Sequence, residues 1–141
     1  MERNKENLDQ AMDLERLFAK DPMVFSLYQA FENRIAEWFP DATIQVQKSQ
    51  VSFCAPRPFC MAWPPRRRMI PGRPPHYLMV TFGLRHPEDS PRIVQRVEPY
   101  PGHWTHHLPV ETPVELDAEL YQWLFAAYQW KTGKNKTQQT L

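Results

Sequence analysis

Three of the five histidines of this chain lie in one run, His103-Trp104-Thr105-His106-His107, at the start of a predicted strand. Successive side chains of a strand point to opposite faces of a sheet. His106 has the same parity as the apolar residues Leu108 and Val110, so we expect it in the core as a hydrogen-bonded structural residue. His107 should lie on the other face, where an imidazole that titrates near neutral pH can act as a general base or contact a ligand.

Lys48 and Gln50 lie where the apolar alternation of the first strand region slips by one residue, between Val46 and Val51. One extra residue in a strand causes such a slip, so the pattern predicts a β-bulge; two short strands with a kink between them are the alternative. A lysine turned towards the sheet would bind a phosphate or carboxylate as a point charge. The other interpretation of Lys48 is a solvated lysine that protects a sheet edge.

A proline-rich segment, residues 64–75, holds five prolines among several arginines and cannot form a helix interior or a central strand. Arginine binds the phosphate backbone and nearby aromatic rings stack on bases, so this segment is a candidate nucleic-acid contact. The other interpretation is a loop that its arginines keep soluble. The candidate nucleic-acid residues are Arg57, Arg66, Arg67, Arg68 and Arg73.

The two cysteines, Cys54 and Cys60, do not have the spacing of a structural zinc site, because five residues separate them. A catalytic cysteine would need a thiolate beside a base, and the spacing gives no support for the pairing with His107. The sequence also has no phosphate-binding loop and no Gly-x-Ser-x-Gly motif. We therefore predict no metal site, no cofactor and no catalytic residue, which favours a binding module over an enzyme.

The composition predicts a folded chain, because 42% of the 141 residues are hydrophobic and 13% are aromatic. The formal net charge is only +1, so the protein has no overall field that would attract nucleic acid or an anionic membrane. No apolar run approaches the roughly 18 residues of a transmembrane helix, and the charged N-terminal residues do not resemble a secretory signal. We expect a cytoplasmic protein with reduced cysteines.

Helices are predicted at Leu8–Ala19 and Pro22–Phe39, the second capped by Asp21, before the apolar period changes to two. The strands that follow have hairpin-length connections, so neighbouring strands must be antiparallel. The run Thr112-Pro113-Val114-Glu115 has the form of a capping box and is predicted to open a last helix that ends at Gly133.

The predicted fold is α+β, a twisted antiparallel sheet of about five strands with the N-terminal helices and the C-terminal helix packed on one face. The other face is expected to be partly open to water. Three parts are predicted along the chain: an N-terminal helical extension at 1–20, a single domain at 21–131 that contains the Arg/Pro-rich loop at 64–75, and a polar flexible tail at 132–141.

Six short motifs follow one another along the chain: Lys48-Ser-Gln-Val-Ser-Phe53, Thr81-Phe-Gly-Leu84, Ser90-Pro-Arg-Ile93, Val97 with Pro99-Tyr-Pro-Gly102, Trp104-Thr-His-His107, and Glu115-Leu-Asp117 before a Trp-Leu-x-x-Ala-Tyr helix. In this order they resemble a bacterial family catalogued as domain of unknown function 5655. The resemblance covers roughly residues 31–128 and departs from the family in the expanded loop at 64–75. It implies the fold and kinship, and it implies no activity.

The leading functional hypothesis is a cytoplasmic module that binds a small anionic ligand, or an acidic segment of a partner protein, on the open sheet face. One alternative is a nucleic-acid-binding accessory protein that uses the Arg/Pro loop, and another is a small hydrolase or metal-handling protein. A homodimer through the open face is a further alternative, and no membrane partner is expected. The predicted ligand contacts are Lys48, Gln50, Arg92, His107 and, as an apolar wall, Trp104.

Overall fold

The computed structural model describes residues 2–65 and 76–133, with side chains from residue 8 onwards. All the described strands belong to one antiparallel sheet in the order β1-β2-β3-β4-β6-β5. The α+β prediction is confirmed, with six strands instead of about five. In chain order the elements are α1 (Glu2–Leu17), α2 (Pro22–Trp38), β1 (Thr43–Val46), β2 (Val51–Cys54), β3 (Pro58–Trp63), β4 (Leu78–Leu84), β5 (Gln95–Tyr100), β6 (His103–Val110) and α3 (Ala118–Thr132).

Helix α2 begins where its sequence predicts and ends within one residue of the prediction. Asp21 caps it by accepting a hydrogen bond from the Val24 amide at 3.2 Å, and Pro22 stands at the first helical position, where no amide donor is needed. Apolar residues at spacings of three and four form a single stripe, which is buried against the core. The buried residues of the stripe are Val24, Leu27, Tyr28, Phe31 and Ile35.

The predicted β-bulge near Lys48 is wrong, because the chain reverses direction there. Strands β1 and β2 form an antiparallel hairpin in which Ile44 pairs with Phe53, and the Gln47 amide donates to the Gln50 carbonyl at 2.8 Å across the turn. Residues paired across a hairpin share a face, so the apparent slip of the apolar pattern is a change of strand. The two short strands of the alternative interpretation are present, joined by this turn instead of a kink.

Strands β4 and β6 pair along the whole of β4 and form the centre of the sheet. Val80 and Phe82 of β4 face the helices and are fully buried. Thr81, between them, faces the opposite side and pairs in register with His107 of β6. All three helices therefore contribute to one core on one face of the sheet, while the other face carries the alternate residues of the same strands.

The last helix starts later than its capping box predicts. The Glu115 carboxylate accepts hydrogen bonds from the backbone amides of Glu111 and Thr112, each at 2.8 Å, but this arrangement closes a short 3₁₀ turn at Pro113–Glu115. Helix α3 begins at Ala118, where Asp117 is the capping residue and accepts from the Leu120 amide at 3.1 Å. It ends as predicted at Gly133, whose φ of 74° is the left-handed conformation that glycine adopts without strain.

Arg92 joins the segment before β5 to the start of α3. Its guanidinium donates to the Asp117 carboxylate at 3.0 Å, to the Glu119 carboxylate at 2.9 Å and to the Glu115 carbonyl at 2.8 Å. The guanidinium carbon also lies 5.8 Å from the ring centroid of Trp123. One planar group therefore fixes the first turn of α3 from three directions.

Among the described residues, no helix combines the length and the apolar character needed to cross a lipid bilayer.

Replacing Arg92 by alanine should lower the free energy of unfolding by about 1 to 3 kcal/mol, because several charge-assisted hydrogen bonds are lost together. Arg92→Lys should recover only part of this, since an ammonium group cannot reproduce the planar fork. Urea denaturation measures both changes, with Arg16→Ala as the control because its pair with Asp13 is largely exposed. Equal stability of Arg92→Ala and the unmodified protein would contradict this role.

Candidate functional site

A cavity of about 260 Å³ opens on the sheet at the end where β4 finishes and β6 begins. Strand β4 provides its floor, β6 one wall, and β3 with the preceding loop the other wall. The last turn of α3 reaches this end of the sheet and contributes a lysine. The lining residues are Arg57, Pro58, Phe59, Met61, Thr81, Phe82, Gly83, His103, Thr105 and Lys131. We call this space the β4–β6 cavity.

Gly83, in the floor of the cavity, has no side chain, and two neighbouring rings lie close to its backbone. A Cβ atom at this position would lie 3.3 Å from His103 Nε2 and 3.6 Å from the ring of Trp130. The imidazole of His103 and the indole of Trp130 occupy the space that a larger residue would take, with their centroids 5.0 Å apart. Glycine in a strand interior often marks such a close approach.

Two cations, Arg57 and Lys131, line the same cavity. Burial lowers the pKa of Lys131, and the positive charge of Arg57 lowers it further. The Lys131 ammonium lies 4.3 Å from the ring centroid of Trp130, a cation–π contact that holds it at the cavity. Among the side chains of residues 8–65 and 76–133, no carboxylate forms an ion pair with either cation.

His103 adds a neutral donor between these cations. Lys131 Nζ lies 3.4 Å from His103 Nδ1, and an ammonium can only donate, so Nδ1 is the acceptor and the ring hydrogen is on Nε2. The Tyr100 hydroxyl lies 2.9 Å from the same Nδ1. Burial and the charge of Lys131 both lower the pKa of His103, which keeps the ring neutral near pH 7. The cavity is therefore lined by two cations and an N–H group.

The sequence-predicted contact His107 lies on the same sheet face as the cavity. It is two residues further along β6 than Thr105, which lines the cavity. Thr81, which lines the cavity, pairs with Met61 on one side and with His107 on the other. Thr81 Oγ1 lies 2.9 Å from His107 Nδ1. Burial lowers the pKa of His107, although part of its side chain stays accessible.

Lys48 and Gln50 lie away from the cavity, at the tip of the β1–β2 hairpin. Lys48 is exposed and borders a separate shallow groove of about 290 Å³ beside Asp13 and Arg16 of α1. Gln50 Nε2 donates to the Gln47 side chain at 3.1 Å and so takes part in the turn itself. The hairpin, which the sequence pattern did not reveal, separates both residues from His107.

Arg92 and Trp104 are also placed elsewhere. The guanidinium of Arg92 is held by the start of α3, as described above, and does not reach the cavity. Trp104 pairs with Leu84, a residue of the helix-side core, so it cannot form a wall of the opposite face. Of the five predicted ligand contacts, only His107 lies beside the cavity.

His106 occupies the core position that its parity predicts. It is fully buried, its ring stacks on Phe82 with centroids 5.1 Å apart, and its Nε2 accepts a hydrogen bond from the Glu88 amide at 3.0 Å. Its Nδ1 is buried without a hydrogen-bond partner. Burial lowers the pKa of His106, and this effect exceeds the opposing influence of the carbonyls of Phe82 and Trp104.

Both cysteines are buried as free thiols, and burial raises the pKa of each. A raised pKa removes the thiolate that nucleophilic catalysis requires. In the described part of the chain, no group of three or more His, Cys, Asp or Glu residues is arranged to hold a metal ion. The candidate nucleic-acid residues Arg66, Arg67, Arg68 and Arg73 lie outside the described residues.

The sequence analysis missed most of the residues that line the cavity. His103 and Thr105 alternate with His106 and share the sheet face of His107, so the strand pattern could have predicted the β6 wall of the cavity. Lys131 lies in the last turn of a helix, where a cation is normally explained by the helix dipole. Arg57 was assigned only to the nucleic-acid alternative, since its loop comes near Lys131 only in the folded chain.

Acid should destabilise the protein as the pH falls below about 6.5. The pKa of buried His106 is lowered in the folded state, so its stabilising contribution is complete above the unfolded value of about 6.5 and is lost as the pH falls. His103 and His107 act in the same direction. Thermal unfolding from pH 7.5 to 5 should show a shallower pH dependence for His106→Gln, whereas the control His86→Gln, at an exposed position, should match the unmodified protein. An unchanged slope in His106→Gln would contradict this assignment.

Comparison with known proteins places the chain in a family. Searches of curated proteins and of solved structures found no match. The family model described as "Domain of unknown function (DUF5655)" matches residues 15–131, which include the end of α1, all of α2, all six strands, α3 except its last residue, and the whole lining of the β4–β6 cavity. The chain therefore belongs to the domain of unknown function 5655 family.

Proposed function

We propose that this protein is a bacterial cytoplasmic binding module that holds a small anion, a phosphate or a carboxylate, in the β4–β6 cavity. The observation that carries the proposal is the approach of Arg57 and Lys131 to one cavity without a carboxylate partner in the described part of the chain. The cytoplasmic assignment is supported by the two free thiols, Cys54 and Cys60, which persist in a reducing compartment.

The electrostatics of the cavity favour an anion over a neutral or cationic ligand. Burial is the main cause of the lowered pKa of Lys131, and repulsion between its ammonium group and the Arg57 guanidinium lowers it further. An anion between the two cations would turn this repulsion into two charge-assisted interactions, and arginine would add a planar pair of donors. The Nε2–H of neutral His103 and the Thr105 hydroxyl are further donors for the remaining oxygens.

Inorganic phosphate added to ¹⁵N-labelled protein at low ionic strength should produce saturable amide shifts at Gly83 and Thr105. Arg57→Ala and Lys131→Ala should each weaken this binding by about tenfold or more, because a hydrogen bond between charged groups contributes about 1.5 to 3 kcal/mol. The matched control is Lys48→Ala, which removes the same charge at the hairpin tip. Equal phosphate affinity in all three variants, or shifts that never saturate, would refute the proposed site.

Gly83→Val tests the shape of the cavity independently of its charge. A branched side chain should fill the floor and displace the ring of His103, whose Nε2 lies 3.3 Å from the position of the new Cβ. We expect a folded protein, because valine is favoured in strands, with phosphate binding lost. The amide spectrum shows whether the variant is folded, and the phosphate titration measures its affinity for phosphate. Unchanged phosphate affinity in a folded Gly83→Val protein would count against the β4–β6 cavity as the binding site.

Binding of an acidic partner segment or of nucleic acid would use the same charges in a different way. The nucleic-acid alternative stays a prediction. Of its five candidate arginines, Arg57 lines the cavity and the other four lie outside the described residues. It predicts that a short DNA duplex binds more tightly than phosphate and that its affinity falls steeply with salt. The hydrolase alternative is disfavoured for a cysteine nucleophile by the buried thiols of raised pKa.

A further inference from the structure

A second polar position lies on the same sheet face and is held in a fixed orientation by two neighbours. Trp63 Nε1 lies 2.9 Å from Thr81 Oγ1, and Thr81 Oγ1 lies 2.9 Å from His107 Nδ1. An indole nitrogen only donates, so Thr81 accepts from Trp63, and the same hydroxyl shares a second hydrogen bond with His107 Nδ1. The Trp63 ring also packs edge-on against the imidazole, with centroids 6.0 Å apart and planes at 88°.

These contacts orient the His107 ring through its Nδ1 atom, which shares a hydrogen bond with Thr81. Nε2 has no hydrogen-bond partner among the described residues, and it is not one of the buried unpartnered atoms. His107 therefore presents an accessible Nε2 atom, a donor or an acceptor according to the ring tautomer. Because the ring is already oriented, the entropy cost of binding a hydrogen-bonding group is lower.

The position of His107 Nε2 relative to the anion cavity follows from the sheet register. His103, Thr105 and His107 alternate along β6 on one face, so His103 and His107 are separated by four residues, or about 13 Å. Thr81 lines the cavity and also holds His107, so the two places adjoin. The face therefore has a cationic end at Arg57 and Lys131 and an imidazole further along at His107, and partly buried Met61 of β3 lies level with His107 on the other side of Thr81.

We propose that the anion site extends along β6 to His107, so that the ligand is a phosphate monoester whose phosphate lies between Arg57 and Lys131 and whose organic part places a hydrogen-bonding group on His107 Nε2. This inference rests on the proposed function. The spacing of about 13 Å between His103 and His107 suits an organic part the size of a sugar or a nucleoside. Met61 provides an apolar contact for it, and Thr105 a hydroxyl at its midpoint.

The test compares inorganic phosphate with glycerol 3-phosphate, ribose 5-phosphate and adenosine 5′-monophosphate in amide-shift titrations of the whole chain. At least one ester should bind ten times more tightly than inorganic phosphate. His107→Ala should remove about tenfold of the affinity for that ester and leave the affinity for inorganic phosphate unchanged. His107→Gln, which keeps an N–H donor, should restore part of the loss, and it also serves if the alanine variant does not fold.

Two controls separate this extension from the anion site. Arg57→Ala should weaken phosphate and ester alike, whereas His86→Ala, which removes an exposed imidazole outside the strands, should weaken neither. The extension is overturned if no ester exceeds inorganic phosphate, or if His107→Ala weakens both ligands equally, and either result leaves the anion site intact. Absence of inorganic phosphate binding would overturn the proposed function and this extension together.

Discussion

The alternation of side chains along β4 is the constraint on which the rest of the structure depends. Val80 and Phe82 complete the core beneath the helices, and Thr81 and Gly83 form the floor of the cavity on the other face. Because β4 pairs with β3 on one side and β6 on the other, its register also sets which residues of those strands join each face. A slip of one residue would exchange core and site at the same time.

The two ends of helix α3 lie in different surroundings. Its first turn is capped by Asp117 and braced by Arg92, and both charges are neutralised there by partners close in space. Its last turn brings Lys131 to the cavity, where the charge of Arg57 acts on it and its contacts include the Trp130 indole and the His103 imidazole. The same helix therefore has a satisfied ionic network at one end and, at the other, a cation without a carboxylate partner among the described side chains.

The two histidines His106 and His107 show how burial separates the roles of identical side chains. His106 is fully enclosed, stacked on Phe82, and fixed by the Glu88 amide, so it contributes to folding. His107 is held just as firmly through Thr81, but its second nitrogen remains accessible. A side chain that the fold already holds in one orientation loses less conformational entropy when it contacts a ligand, provided that it stays accessible.

Local signals in the sequence were sufficient for the class of fold, for the Asp21 cap of α2, for Gly133 at the end of α3, and for the separation of His106 from His107. Each depends on a periodicity or a capping preference that acts within a few residues. Local signals did not reveal the β1–β2 hairpin, since a reversal of the chain and a bulge change the parity of the apolar residues in the same way. They also did not bring together Arg57, His103 and Lys131, which come from a loop, a strand and a helix. Only tertiary structure decides which charges meet, because electrostatic interactions depend on distance in space and carry no period along the chain.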